Sequence, residues 1–419
     1  MSTTEQAPTT GDAGATDLAR AHSRYESAFE GIDAPFAFVD LDALESNARE
    51  LRAQAAGLPI RIASKSVRSV EVLRRILGLD DGFRGLLAFT LPEALWLHGL
   101  GFEDIVVAYP TVDREAIAAL AALAAEDPAA PVPMVDDAPH LDLVESATTP
   151  GQDPVRVCLD VDVSWWPLRG RLAKIGPKRS PVRSPDRARR VARQIGSRPG
   201  IRLVGLMAYE GHIAGVGDDL PGQAVRSAAV RRMQSASERE IRRRLPRIVD
   251  AIRKEVGERG LEFINGGGTG SLARTAAAGI VSELAAGSGF YAPALFDHYR
   301  SLDLTPAAFF TVPVVRRPSA GVATALGGGY LASGPADALR LPQPYLPTGL
   351  RLDGDEGAGE VQTPLVGGAA RNLAVGDRVY MRHAKAGELC ERFNSLYLVE
   401  GARIVDEVPT YRGDGHAFL

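Results

Sequence analysis

The segment PIRIASKSVRS, residues 59–69, sets a lysine at the end of a strand-like run, between two serines. Lysine is a poor strand residue and costly to bury. The chain has five lysines (Lys65, Lys174, Lys178, Lys254 and Lys385) against 43 arginines. Where only positive charge is wanted it uses arginine, so Lys65 is read as present for its amine. The plainer alternative is a surface side chain whose stem lies along apolar neighbours. Two later stretches, NGGGTGS (265–271) and AGSGFY (286–291), combine glycine with hydroxyl side chains and run into helical sequence. Helix starts of that kind bind phosphate through free N–H groups and the helix dipole, and otherwise serve as tight turns. AYEGH ends another apolar run in Tyr209, Glu210 and His212, and RHAKAGELCERFN carries His383, Glu388 and Cys390.

These residues need elements to position them. Short apolar runs fall at 60–63, 85–89, 104–108, 132–135, 155–161, 202–208, 261–265 and 281–286. Stretches such as 91–99, 112–125, 186–195 and 223–256 are rich in Ala, Leu and Arg with helical periodicity. Strands alternating with helices imply a parallel sheet. Eight such units suit a (β/α)8 TIM-like barrel of roughly 250 residues, with a doubly wound open sheet as the competitor. Before them, residues 36–39 read as a strand followed by a helix that Asp42 can cap; this strand is a candidate to join a second domain. Beyond residue 300, β-branched and aromatic runs broken by Gly and Pro read as a C-terminal antiparallel β domain, with loops over 340–372. The expected division is a disordered tail over 1–25, a barrel over 26–300 and the β domain over 301–419.

Barrel chemistry collects at the C-terminal ends of the strands. In order those ends supply Lys65, Thr90 with Glu93, Tyr109-Pro110, Asp160 with Asp162, AYEGH, and the two glycine loops after strands seven and eight. A phosphate site after the last two strands is a recurring barrel arrangement. A lysine amine desolvated in a barrel mouth becomes a competent nucleophile. An amine facing a phosphate cradle fits pyridoxal phosphate. GGGTGS has neither the Walker lysine nor the spacing of a dinucleotide fingerprint.

Composition excludes other classes. A net charge of −4 gives no sign of nucleic-acid or anionic-membrane binding. No apolar run approaches the roughly 18 residues of a membrane-spanning helix. The N-terminus lacks the basic start and apolar core of a signal peptide. Two cysteines, Cys158 and Cys390, are too few for a disulfide framework, so a reducing cytoplasm is the expected location.

From about residue 30 to the C-terminus, the chain resembles the alanine-racemase-like pyridoxal-phosphate enzymes, and within them the D-threonine aldolase and D-serine dehydratase-like family. The resemblance is carried by FVDLDALESNARELR, IRIASKSVRS, GLMAYEGH, INGGGTGS and SELAAGSGFYAPALFD together. It implies a barrel with a C-terminal β domain, usually a dimer, and a cofactor linked covalently to Lys65. It also implies that Gly268, Thr269, Gly287, Ser288 and Tyr291 lie near the phosphate, and that Tyr209 and His212 line the cofactor ring. An arginine after strand five often touches the cofactor's phenolic oxygen; Arg179 is the first candidate and Arg171 the second. Relatives acting on β-hydroxy amino acids carry a divalent metal on a histidine and a cysteine or aspartate two residues later. Here His383 is followed at that spacing by Lys385, which cannot ligate while protonated. His383 with Cys390 would suit zinc, and His383 with Glu388 would tolerate manganese.

The reading that follows is a lyase for small D- or β-hydroxy amino acids, cleaving or dehydrating them, with His212 or a metal-bound hydroxide as base in the aldol case and Lys65 as base in the dehydratase case. A racemase is the alternative; its second base would be a partner's tyrosine, with Tyr330 and Tyr380 as candidates. A non-catalytic pyridoxal-phosphate-binding protein and a sugar-phosphate-binding barrel are further alternatives.

Overall fold

All eight apolar runs become parallel strands of one sheet in a computed structural model that describes residues 12–257, 260–385 and 387–419. They are β2 (Ile60–Ala63), β3 (Phe83–Ala88), β4 (Ile105–Val107), β5 (Met134–Val135), β6 (Val155–Asp160), β7 (Ile201–Ala208), β8 (Phe263–Gly266) and β9 (Glu283–Ala286). Hydrogen bonding runs β4-β3-β2-β9-β8-β7-β6-β5. The two ends meet where Val106 bridges Val132, with Val107 N–H on the Val132 carbonyl at 2.9 Å. That seam makes the sheet a barrel and removes the open-sheet alternative. Side chains including Val106, Val132, Met134, Cys158, Met207 and Phe263 fill its interior, as expected of a small closed barrel. The outer helices begin on side-chain caps: Thr90, Asp113, Asp137 and Ser184 each accept a backbone N–H from the first turn.

The second unit is a nine-stranded sheet. It contains β1 (Phe36–Asp40), β10 (Ala308–Ser319), β11 (Val322–Leu326), β12 (Gln343–Leu346), β13 (Leu350–Leu352), β14 (Gln362–Gly367), β15 (Arg378–Arg382), β16 (Ser395–Glu400) and β17 (Arg403–Pro409). β1 lies between β10, antiparallel, and β16, parallel, with Phe38 opposite Phe309 and Tyr397. The chain therefore starts in this sheet, leaves to build the barrel, and returns at β10. Residues 340–372, expected as loops, include β12, β13 and β14. These strands are three to six residues long, too short and too broken by Pro and Gly for their alternation to show.

The N-terminal segment also departs from expectation. Residues 1–11 lie outside the described residues, but Asp12–Ala28 is a helix, α1, where a disordered tail was expected. Its Leu18, Ala21, Tyr25 and Ala28, with Phe29 just beyond its end, pack on Phe36, Phe38, Phe309 and Tyr380. Phe38 stacks on Phe309 with ring centroids 5.2 Å apart. The helix is held by that aromatic face and by pairs of Arg24 with Asp40 and of Glu26 with Arg378, none of which its own composition reveals. The helix α2 (Leu41–Gln54) is capped by Asp40, whose Oδ1 accepts from Ala43 N–H at 3.2 Å; Asp42, the expected cap, instead pairs with Arg24 at 3.0 Å. Among the described residues no helix is long and apolar enough to cross a membrane.

Phe29 is fully buried, so Phe29→Ala should destabilise the protein by about 3–5 kcal/mol, read from the urea midpoint. A change below about 1 kcal/mol would mean that α1 is not packed as described.

Candidate active site

A cavity of about 340 Å³ opens at the C-terminal ends of the barrel strands, a size that suits a small cofactor with substrate. Lys65 enters it from the turn Ser64–Ser66, directly after β2. Its Nζ donates to the Tyr109 hydroxyl at 3.2 Å. Burial alone would raise Tyr109, but the positive charges of Lys65 and Arg179 outweigh it and hold the phenol below its ordinary range. Arg179 lies over two aromatic rings, 5.1 Å from the centroid of Tyr109 and 5.2 Å from that of Tyr209. Burial pushes Tyr209 up to about 12, so it stays a neutral hydroxyl.

The turn that carries Lys65 is clamped from both units. Ser64 Oγ donates to the Leu87 carbonyl at 3.2 Å, and Arg68 Nε donates to the Lys65 carbonyl at 2.9 Å. Arg68 also pairs with Glu391, and Tyr291 Oη and Cys390 Sγ both donate to the Val67 carbonyl. Gly387 (φ +85°) passes so close that a Cβ there would lie 2.0 Å from the Lys65 carbonyl oxygen. Only glycine fits on both counts.

The two glycine loops form the wall beside the lysine turn. Gly268, Thr269, Gly287 and Ser288 line the cavity, and Ser66 Oγ lies 3.1 Å from Ser288 Oγ. A Cβ at Gly287 would lie 2.6 Å from the Ala63 carbonyl oxygen. Part of the expected amide cradle is used internally: Gly267 N–H bonds Glu210 Oε2 and Gly268 N–H bonds Ser271 Oγ, each at 3.1 Å. Glu210 also accepts from Ser271 and Thr275, so this acid buttresses the loop. Below, Arg61 forks onto Glu283 with two 2.8 Å bonds. Glu283 accepts from Asn265 Nδ2, while Asn265 Oδ1 is buried without a partner at the cavity wall. That acceptor awaits a donor from a ligand.

Of the expected site residues, Lys65, Tyr209, Arg179, Gly268, Thr269, Gly287 and Ser288 meet in this cavity. Six others do not line it. His212 is turned outward by the short helix Gly211–Ala214 and bonds Ser237 of the helix Ala224–Val256; burial pushes it down to about 4. Tyr291 is fully buried as a strut under the lysine turn. Arg171 is exposed outside the cavity. His383 is fully enclosed with its ring edge-on to Tyr291 and both ring nitrogens without a hydrogen-bond partner, and is pushed down to about 3 by burial and by Arg382. Cys390 Sγ is turned to the Val67 carbonyl, and Glu388 Oε1 accepts from Ser333 N–H at 2.9 Å while its Oε2 has no partner. The expected racemase tyrosines are held elsewhere: Tyr380 donates to Glu26, and Tyr330 packs on Phe310.

Sequence reasoning assigned no role to Tyr109, Ser66, Asn265, Arg340 or Lys385. The first three were legible in principle as neighbours of strand ends. The last two arrive from the C-terminal unit, which no periodicity places.

Lys65, the hydroxyls of Ser66, Thr269 and Ser288, the open Asn265 acceptor and the Arg179 stack fit pyridoxal phosphate. A divalent metal does not fit. The two-residue site expected from the resemblance has Lys385 at its second position, which cannot ligate while protonated, and among the described residues no group of three or more His, Cys, Asp or Glu takes its place.

The alanine racemase N-terminal domain family matches residues 39–251, which is half of the chain. The protein belongs to that family. Its alanine-racemase-like barrel is similar to the D-threonine aldolase of Arthrobacter sp., 29% identical over 263 residues. That match covers 61% of this chain and 60% of the relative, so the chain spans less than two thirds of that protein. Among solved structures, the D-threonine aldolase of Filomicrobium marinum superposes with a TM-score of 0.76 at 22% identity, covering 91% of this chain and 96% of that one. The D-threo-3-hydroxyaspartate dehydratase of Delftia sp. HT23 gives 0.69 at 17%, covering 91% and 98%. At those identities the superpositions show the fold.

Two outcomes test the geometry. Gly287→Ala should weaken pyridoxal-phosphate binding at least tenfold, because its methyl group cannot be placed beside Ala63 without moving the loop; unchanged affinity would remove the loop from the cofactor site. Asp160, on the cavity wall, is pushed up to about 7 by burial and by Asp136 and Asp162, against the pull of Arg179. Its folded pKa thus exceeds the roughly 3.9 of an unfolded aspartate. The stability it contributes is whole below about pH 4 and is lost as pH rises through about 7. Asp160→Asn should therefore show a smaller fall in melting temperature from pH 5 to pH 8 than the parent protein. An equal fall would place the sensitivity elsewhere.

Proposed function

We propose that the protein is a pyridoxal-phosphate-dependent lyase acting on small D-configured β-hydroxy amino acids. The observation that carries this reading is the meeting of the Lys65 amine, the Arg179–Tyr209 stack and the hydroxyl-lined glycine loops in one cavity roofed by the C-terminal unit. The names of the relatives supply the substrate class: an aldolase for D-threonine and a dehydratase for D-threo-3-hydroxyaspartate.

When bound, the cofactor supplies the electron sink for charge left on the substrate α-carbon. The protein's own groups have separate tasks. Lys65 Nζ holds the cofactor and is the base closest to it. Two cations stabilise the phenolate of Tyr109, whose Oη lies 3.2 Å from Lys65 Nζ and in that form can accept the Lys65 proton. Arg179 and Tyr209 fix the plane of the cofactor ring, and Ser66, Thr269 and Ser288 offer hydroxyl donors to its phosphate. Lys65 also serves a dehydratase, since both reactions start from the same bound substrate. The racemase reading is disfavoured by the internal contacts of Tyr330 and Tyr380.

The test is turnover of D-threonine, D-serine and 3-hydroxy-D-aspartate by the loaded protein, with their L-forms and D-alanine as controls. Glycine with an aldehyde marks the aldolase, and ammonia with an oxo acid marks the dehydratase. Lys65→Ala should lower either rate by about 10²–10⁴-fold. Interconversion of the alanine enantiomers without cleavage of any hydroxy amino acid would replace the lyase with a racemase.

A further inference from the structure

The C-terminal unit contributes two cations to the cavity, Arg340 and Lys385. Lys385 follows directly on a pinned stretch of backbone: the His383 and Ala384 carbonyls accept from Ala294 and Leu295 N–H at 3.1 and 3.2 Å. Its Nζ donates to Ser333 Oγ at 2.6 Å. Ser333 N–H in turn holds Glu388, so the ammonium stands in a fixed frame. It shares the cavity with Lys65, and those are two of only five lysines in the chain.

This position is where the sequence resemblance calls for a metal ligand. A divalent ion bound between His383 and the residue two places on would meet an ammonium instead of a carboxylate or thiolate. Of the other candidate donors, Cys390 Sγ is turned to the Val67 carbonyl, and Glu388 holds Ser333 N–H through Oε1 while its Oε2 is buried without a partner. An ammonium can itself do much of what such an ion does. It places positive charge beside a substrate oxygen, and it adds a charge-assisted hydrogen bond.

Resting on the lyase reading above, we propose that Lys385 supplies the positive charge at the β-hydroxyl of the substrate that a divalent metal supplies in metal-dependent lyases, and that this protein works without a metal. Lys385 is then a substrate-contacting residue. Arg340 beside it adds a second donor for an acidic β-substituent.

The experiment uses the full-length protein loaded with pyridoxal phosphate. Metal content is measured by mass spectrometry after dialysis against chelator, and Mn²⁺ and Zn²⁺ are titrated calorimetrically. Turnover is then compared with and without chelator for the parent, Lys385→Met and Lys385→Arg, after melting curves confirm that each variant is folded. The expected result is metal well below one per chain, no stoichiometric uptake, and turnover unaffected by chelation. Lys385→Met should lose about 10²–10³-fold in kcat with the cofactor absorbance unchanged and no rescue by either metal, while Lys385→Arg keeps more activity than Lys385→Met. Tight uptake of one metal per chain that is lost in His383→Ala would overturn the proposal. So would abolition of turnover by chelator, or full activity in Lys385→Met. Failure to turn over any β-hydroxy amino acid would overturn the lyase reading and with it the role of Lys385 at the substrate; the titration would still decide the metal claim, because it needs no turnover.

Discussion

The site depends on an ion pair sealed inside the barrel. Arg61 on β2 is 2% exposed and meets Glu283 on β9 through two hydrogen bonds, while its other face reaches Asp104 ahead of β4. Burial opposes the charge, but the bonds to Glu283 and Asp104 outweigh it and keep the guanidinium ionised. Removing one partner of such a pair costs about 3–5 kcal/mol, because the other charge is left buried alone. Glu283 in turn fixes Asn265 on β8. Three barrel strands are thereby tied together one layer below Lys65, and the floor of the cavity carries an oriented acceptor in place of an apolar plug.

Above that floor, the two units interlock at the turn carrying Lys65. Cys390, Glu391 and Gly387 of the C-terminal unit and Tyr291 of the barrel converge on residues 65–68. The Tyr411 N–H adds a bond to the Arg68 carbonyl at 2.9 Å. The lysine is therefore a flexible side chain on an over-determined backbone, which is what preorganised chemistry requires. Because β1 is woven into the C-terminal sheet, the chain cannot build that sheet without its N-terminal segment. This explains why α1 is ordered against it.

Much of the barrel was legible because parallel strands buried on both faces read as short apolar runs, and all eight runs became strands. Lys65 and the glycine loops were legible because chemistry gathers at strand ends, and Arg179 only through the family resemblance. His212 and Tyr291 were misplaced for a different reason. Each lies one turn beyond a cavity residue, and a short helix rotates it away, to Ser237 for His212 and under Val67 for Tyr291. Strand-end logic does not resolve a rotation of that kind. His383 and Cys390 were paired from the resemblance, whereas in the structure Cys390 Sγ is turned to the Val67 carbonyl and the enclosed His383 ring lies edge-on to Tyr291. The arrival of Lys385 in the cavity depends on contacts between units that no local pattern encodes.

The central claim is that Lys65 holds the cofactor. Its most direct test is borohydride reduction of the protein with pyridoxal phosphate, followed by peptide mapping of all five lysines. The account predicts a cofactor-lysine absorbance band that reduction converts to a stable adduct on the peptide carrying Lys65. An adduct on Lys385, which shares the cavity, or no adduct with the protein folded and cofactor in excess, would contradict it.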